Sequence, residues 1–342
     1  MTPARFQAIA ERYLRLKIGV VGDFCLDRYL EIDPARAETS IETGLAVHNV
    51  INVRSQPGAA GTVLNNLVAL GIGEIFPVGF CGDDGEGFEL ERALRRMPGV
   101  DTAFFQRTPQ RRTFVYCKPL IVEPGREPRE LNRLDSKNWT PTPAELQTVL
   151  VNQIRELSQR VDALIIMDQV DVPETGVVTK RVREALATRE RSDLLVLADC
   201  RRGLADYPPL GFKMNAAELS KLTGDSLDDF AAIEKRVAEL ACRNRQPVFV
   251  TLAERGIVGS LADGSTARVL SHPVRGPIDI VGAGDAVTAN LTAAVAAGGN
   301  LREAMQIAMA AASIVIHQLG TTGTATPMQI AEMLEDRSSP KI

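Results

Sequence analysis

Histidine is scarce in this chain: His48, His272 and His317 are the only three in 342 residues. They lie too far apart in sequence to announce a metal cluster, and each reads as structural. The five cysteines, at 25, 81, 117, 200 and 242, are odd in number and form no Cys-x-x-Cys pair. That argues against a disulfide framework or a zinc site and fits reduced thiols in a cytoplasmic protein. No apolar run is long enough to cross a bilayer. The opening MTPARFQAIAERYLRLK carries charges throughout and lacks the apolar stretch of a secretory signal. A positive excess is missing too. With 39 Lys and Arg against 43 Asp and Glu, the net charge is -4, so neither nucleic acid nor a membrane is expected as partner. There is no internal repeat and no low-complexity tract.

What is present is enough apolar material for a large core, 45% of residues. Short apolar runs end in a polar residue or glycine: IGVVGDF (18–24), ALIIMDQ (163–169), LLVLADC (194–200) and PVFVTLAE (247–254). Runs that are apolar on both faces read as strands buried in a parallel sheet. Helical patterns at 62–70, 85–96, 143–158, 174–189 and 227–243 alternate with them. The expected fold class is therefore α/β, with helices on both faces of a mostly parallel sheet. Ligands bind such sheets beyond the carboxyl ends of the strands, where Asp23, Asp168, Asp199 and Glu254 stand. Residues 28–56 and 104–135 break the rhythm with alternating stretches such as GLAVHNVINVRS and RRTFVYCKPLIV. They predict a small antiparallel β lid over that end, with VEPGREPRE as a turn between two of its strands. The tail EDRSSPKI is expected to fray. Residues 1–342 thus read as one domain with two inserted lid segments, and the open strand edges of the lid suggest a homodimer through it.

The segment IDIVGAGDAVTANL (278–291) opens like a buried strand and closes like a small-residue helix. Between them lie Gly282, Ala283 and Gly284, then Asp285. Bare amides at a helix start can cradle a phosphate, aided by the helix dipole. An Asp in the first turn can accept a proton from an attacking hydroxyl, so with a metal ion the parts suffice for phosphoryl transfer. A tight turn whose Asp caps the helix would look similar. A dinucleotide fingerprint is excluded because no third glycine stands at 287.

With the remaining motifs added, the sequence resembles the ribokinase-like family of carbohydrate kinases over about residues 17–335. DIVGAGD (279–285) matches the family's late signature. VGDFCLDRYL matches its first strand, with Asp27 at the position that holds sugar hydroxyls. QPGAAGTVLNNLVALG stands at its early glycine signature, VGFCGDDGEG at its Gly-x-Asp-x-x-Gly turn, NAAE (Asn215–Glu218) at its Asn-x-x-Glu motif, and VTLAERG (250–256) at its nucleotide-side strand and turn. GDFCLDRY, NRLD (132–135), LADCRRG (197–203) and LGTTGTATP (319–327) look most like the bacterial heptose-phosphate kinases. Some of those enzymes carry a second, nucleotidyl-transferring domain, which is not expected here.

The resemblance implies an ATP-dependent kinase for a sugar or sugar phosphate, with a ribokinase-like three-layer fold. Asp285 would be the base, and the amides of Gly282, Ala283, Gly284 and Asp285 the anion hole. Asn215, Glu218, Thr251, Glu254 and Gly256 would face ATP, with Glu218 reaching Mg2+ through water. Asp279 would serve a monovalent cation such as K+. Asp27, Gly58, Ala59, Thr62, Arg133 and Arg201 would face the sugar, the two arginines suiting a phosphate. Asp168 and Asp199 are further candidates for magnesium or phosphate, and the arginine pairs 111–112 and 201–202 for a basic rim. The sequence departs from the family pattern at Ala59 and Thr62, where a glycine and an asparagine are usual, and at Ile280 and Val281, where threonines are common. Met309 and Asp171 replace an Asn and a Lys of the heptose branch. A nucleoside kinase, or a binder of this fold without catalysis, are the competing readings.

Overall fold

The apolar runs that lack a polar face are the middle of a nine-stranded sheet. We describe it from a computed structural model covering residues 1–336 apart from 189, 192, 227 and 228. From edge to edge the strands are Thr266–Val269, Ile257–Ser260, Val248–Thr251, Gly211–Asn215, Leu195–Cys200, Ala163–Asp168, Lys17–Gly22, Glu74–Gly82 and Phe105–Thr108. The first two pairings, Thr266–Val269 with Ile257–Ser260 and Ile257–Ser260 with Val248–Thr251, are antiparallel, and the rest are parallel. Side chains alternate across the sheet into two cores. Ile165 and Met167 face the helices Ala60–Leu70, Ala283–Ala296 and Leu301–Val315, while Leu164 and Ile166 face Ala144–Ser158 and Lys180–Ala187. This is the three-layer α/β arrangement expected, with the loops after Gly22, Asp168, Cys200, Asn215 and Thr251 opening at one end.

The second sheet orders Leu134–Ser136, Phe114–Ile121, Phe24–Ile32 and Val50–Ala59, with Arg129–Glu130 added to Phe114–Ile121. The central pair, Phe24–Ile32 and Phe114–Ile121, runs parallel, and the others antiparallel. Of the segment 104–135, Phe105–Thr108 lies at the edge of the large sheet and the later strands in the small one. The small sheet is polar on one face and apolar on the other. Register aligns Gln56, Asp27, Tyr116 and Asp135 in a row across one face. The opposite face carries Leu30, Ile32, Val53, Pro119 and Leu134, of which Val53 and Leu134 are exposed.

Among the described residues of the pattern 174–189, only Lys180–Ala187 is helical. Pro173 and Gly176 keep the preceding residues in a loop, whose amides at Gln169 and Val177 are taken by the Asp23 carboxylate at 2.8 and 2.7 Å. The outer ends of that pattern and of 227–243, and the tail from 337, lie outside the described residues. No helix among the described residues is long and apolar enough to cross a membrane.

Candidate active site

Asp23 joins the two sheets. The chain leaves the large sheet at Gly22, and the next residue after Asp23 enters the small one. This brings Asp27, four residues on, over the open end of the large sheet, where its charge is felt by Asp285. Gly58 makes room for it: a Cβ there would lie 2.6 Å from the Asp27 carboxyl carbon. Burial raises the proton affinity of Asp27, which Lys118 and the Cys25 thiol partly offset. Ala59, next to Gly58, has φ 54° and ψ -117°, a conformation glycine adopts freely and alanine only under strain. The strain leads directly into the helix Ala60–Leu70, whose Thr62 is buried. The Thr62 methyl carbon lies 3.5 Å from where a Cβ on Gly282 would be, so Thr62 borders the Gly-Ala-Gly turn.

That turn begins the helix Ala283–Ala296 with Gly282 at φ 84°. Ala283 donates to the Ile280 carbonyl at 3.2 Å, and Ala286 closes the first turn on the Gly282 carbonyl at 2.9 Å. Of the amides expected to grip an anion, that of Ala283 is therefore already engaged. Those of Gly284 and Asp285 lie at the open end of the helix. The Asp285 side chain is half-buried. Its carboxyl is pushed up to about 7, first by burial and then by the charge of Asp199, with Lys213 opposing and Asp27 adding. Among the described residues no hydrogen bond fixes it. The alternative reading, an Asp that caps this helix, is not what the geometry shows, since the cap residue is Gly282 and no side chain caps.

Lys213 is the residue that sequence reasoning missed. It sits in the strand Gly211–Asn215, almost fully buried, with Nζ 2.7 Å from Asp199 Oδ2. A Cβ on Gly284 would come within 3.0 Å of the same nitrogen. Burial works to lower its proton affinity, but Asp199 outweighs it, helped by Asp285 and Glu218, so the group stays a cation. Thr288 Oγ1 donates to Asp199 at 3.2 Å and completes the cluster. Nothing in the run GFKMN marks its lysine, because the partners lie on other strands and helices.

The Asn-x-x-Glu motif forms a capping box. Asn215 Oδ1 accepts from the Glu218 amide at 2.9 Å, and Glu218 Oε2 accepts from the Asn215 amide at 2.7 Å. One Glu218 oxygen remains uncommitted by this box, and burial raises the carboxyl's proton affinity against the Asn215 amide. Thr251, Glu254 and Gly256 lie on the next strand end and turn. Gly256, at φ 95°, packs so closely that a Cβ would overlap the Val269 carbonyl. Asp279 Oδ1 accepts from the Val281 amide at 3.0 Å. No group of three or more His, Cys, Asp or Glu suited to a metal occurs among the described residues.

Other expectations change. Asp168 is fully buried and tied to Arg202 at 2.5 Å, Tyr207 at 3.0 Å and the Cys200 thiol, so it is a structural anchor and not a ligand at the mouth. Arg202 is thereby removed from the basic rim. Arg111 is buried too, donating to the carbonyls of Thr140, Pro141 and Thr175. Asp84 caps its helix through the Gly87 amide at 2.7 Å. Arg133 and Arg201 are each already on a carboxylate: Arg133 on Asp135 at 2.7 Å and Arg201 on Asp171 at 3.3 Å.

A helix start with free amides, a buried lysine and a proton-hungry carboxylate, roofed by a polar sheet face, is thus set on a ribokinase-like fold. Residues 24–328 match the pfkB family carbohydrate kinases, and the chain belongs to that family. Among curated relatives, the bifunctional protein HldE of Trichlorobacter lovleyi is 29% identical over 97% of this chain and 66% of its own length. That of Pseudomonas fluorescens is 30% identical over 92% and 63%. The chain thus spans somewhat less than two thirds of the length of these relatives. Among solved structures, Arabidopsis thaliana ribokinase complexed with ribose and ATP has a TM-score of 0.65 at 18% identity, covering 94% of this chain and 99% of its own. Phosphofructokinase-2 from Escherichia coli, in complex with substrates and products, has 0.72 at 17%, covering 95% and 100%. At such identities the structural likeness speaks for the fold.

Proposed function

We propose that the chain transfers the terminal phosphoryl group of ATP to a hydroxyl of a sugar or sugar phosphate, and that a heptose phosphate is the first acceptor to try. The observation that carries this is the Asp285 carboxyl, partly open, without a hydrogen bond, and raised to about 7 beside two helix-start amides and Lys213. A base with an affinity near the working pH is well matched to proton removal. The acceptor hydroxyl gives its proton to Asp285 as its oxygen bonds to phosphorus, the bridging P–O bond breaks, and ADP leaves. The amides of Gly284 and Asp285 and the Lys213 ammonium lie where charge on the moving group would be neutralised. Asp27 and Gln56 on the roof, with Thr62 at the edge of the turn, would orient the sugar.

Magnesium usually keeps several waters and needs few protein oxygens. The free Glu218 oxygen fits that role, and the ion's contribution would be charge neutralisation on the nucleotide phosphates. A monovalent cation would draw on Asp279 and neighbouring carbonyls, because Ile280 and Val281 offer no side-chain oxygen. The HldE relatives and the heptose-like motifs support the heptose choice. The kinase reading is tested by incubating the chain with Mg-ATP and sugars, sugar phosphates and nucleosides while measuring ADP. Turnover on a sugar or sugar phosphate supports it. Turnover on nucleosides alone would replace it by a nucleoside kinase, and binding without turnover by a binder.

The apolar outer face of the lid supports a homodimer. A groove of about 660 Å³ there is lined by Leu30, Ile32, Val50, Pro119 and Leu134, among others. Exposed apolar faces of this kind mark interfaces, and the lid of a second copy would bring the same face to it. Sedimentation should give twice the chain mass, and Val53→Asp with Leu134→Asp should give the single mass.

A further inference from the structure

At the end of the lid row away from Asp285, three cations converge around the Tyr116 ring. The Arg133 guanidinium carbon and Lys137 Nζ lie 4.9 and 5.7 Å from the ring centroid. Arg201 comes from the loop after the strand Leu195–Cys200, and its charge is felt at Tyr116. Two carboxylates hold them. Asp135 takes Arg133 at 2.7 Å and Lys137 at 3.4 Å, both within the lid. Asp171 belongs to the large sheet's loop, yet reaches Lys137 at 2.7 Å and Arg201 at 3.3 Å. It is the one carboxylate of this cluster that bridges lid and core. Its loop is pinned by Asp23 through Gln169 and Val177 and by Arg111 through Thr175, so the carboxylate is presented, not wandering.

The side chains of Asp171 and Arg201 are 45% and 54% exposed. Ion pairs this open are weak, and a guanidinium grips a phosphate dianion more firmly than it grips a single carboxylate oxygen. Three cations share these two carboxylates, with Glu130 also felt at Arg133 and Arg133 felt at Asp27, the neighbour of Tyr116 in the row.

We propose that Asp171 is a specificity-determining residue that occupies, on Lys137 and Arg201, the place of an anionic group carried by the far end of the acceptor. A phosphorylated acceptor displaces it by partner exchange, whereas a neutral sugar leaves it seated. The same exchange frees the Lys137–Asp171 tie between lid and core. This rests on the sugar-kinase reading only for which end of the acceptor lies there; anion capture itself needs no turnover.

The test uses the full chain without nucleotide, titrated calorimetrically with inorganic phosphate and with ribose 5-phosphate against ribose, at fixed ionic strength. Asp171→Asn should bind both phosphates about three- to tenfold more tightly and ribose no better. Arg201→Gln should bind the phosphates about three- to tenfold more weakly. Thermal melting confirms that each variant is folded, and Asp171→Ser repeats the first arm should Asn re-form the contact. With any acceptor that turns over, the Asp171→Asn effect should appear in KM and not in kcat. Equal or weaker phosphate binding by both Asp171 variants would overturn the proposal. Absence of ADP formation with intact anion exchange would instead count against the kinase reading alone.

Discussion

Replacing Lys213 by methionine removes a buried cation that opposes the burial and the Asp199 charge acting on Asp285. A unit charge acting over roughly twice the 4 Å contact distance, at an effective dielectric of about 20, is worth about 2 kcal/mol, or about 1.5 pH units. Asp285 keeps part of its surface in water, which reduces this to about one unit. The base must be deprotonated to work, so activity falls below its pKa and the acid limb of kcat/KM for the acceptor reports that pKa in the enzyme before the acceptor binds. Wild type should show the limb near pH 7, where the carboxyl stands. Lys213→Met should move it up by about one unit, and Asp199→Asn should move it down by about as much. The double variant should lie near wild type. Each single variant leaves a buried charge without its partner at 2.7 Å, costing about 3–5 kcal/mol of stability, most of which the double variant recovers. The assay is coupled ADP release from pH 5.5 to 9 with saturating Mg-ATP. Ionisation of the acceptor and of ATP is common to all four proteins and cancels in the differences. Limbs that stay together, or shift in the same direction in both single variants, would refute the electrostatic argument.

The other expectations follow from single contacts. Asp285→Asn should raise the melting temperature at pH 8 by about 1–3 °C, because it removes a carboxylate whose raised pKa, about 4 kcal/mol if fully dry, is reduced by its contact with water to a cost of about 1–2 kcal/mol. With the folded pKa raised to about 7 above an unfolded value of about 3.9, that cost is absent below pH 4, grows between pH 4 and 7 and is complete above. The gain should therefore vanish in melts at pH 4. Gly58→Ala would set a methyl group 2.6 Å from the Asp27 carboxyl carbon, so KM for the acceptor should rise about tenfold or more while KM for ATP holds. Ala59→Gly relieves the backbone at φ 54°. The strain is worth about 1–3 kcal/mol against about 0.4–1 kcal/mol of lost chain stiffness, so calorimetry should show a small net stabilisation.

Much of the frame is legible in the chain because a buried parallel strand must be apolar on both faces, and four such runs mark the middle of the sheet. The turn at 282–285 is legible because a close approach to backbone amides demands residues without side chains. Asp27 and Gly58 read as separate motifs, and only the strand register shows them to be one contact. Lys213 was invisible for the same reason: its meaning comes from Asp199, fourteen residues away on a neighbouring strand. The paired arginines misled because Arg111 and Arg202 look like solvated charge until Asp168 and the carbonyls of Thr140, Pro141 and Thr175 are brought to them by the fold. The pattern 174–189 overran because Asp23, far upstream, takes the Val177 amide that a longer helix would have used.

Single-turnover phosphoryl transfer by Asp285→Asn, beside its affinity for Mg-ATP, tests the central claim most directly. If the carboxylate takes the acceptor's proton while the amides and Lys213 hold the nucleotide's charge, the variant should bind Mg-ATP within about threefold of wild type and form product at least about a hundredfold more slowly. Transfer at the wild-type rate would contradict the account.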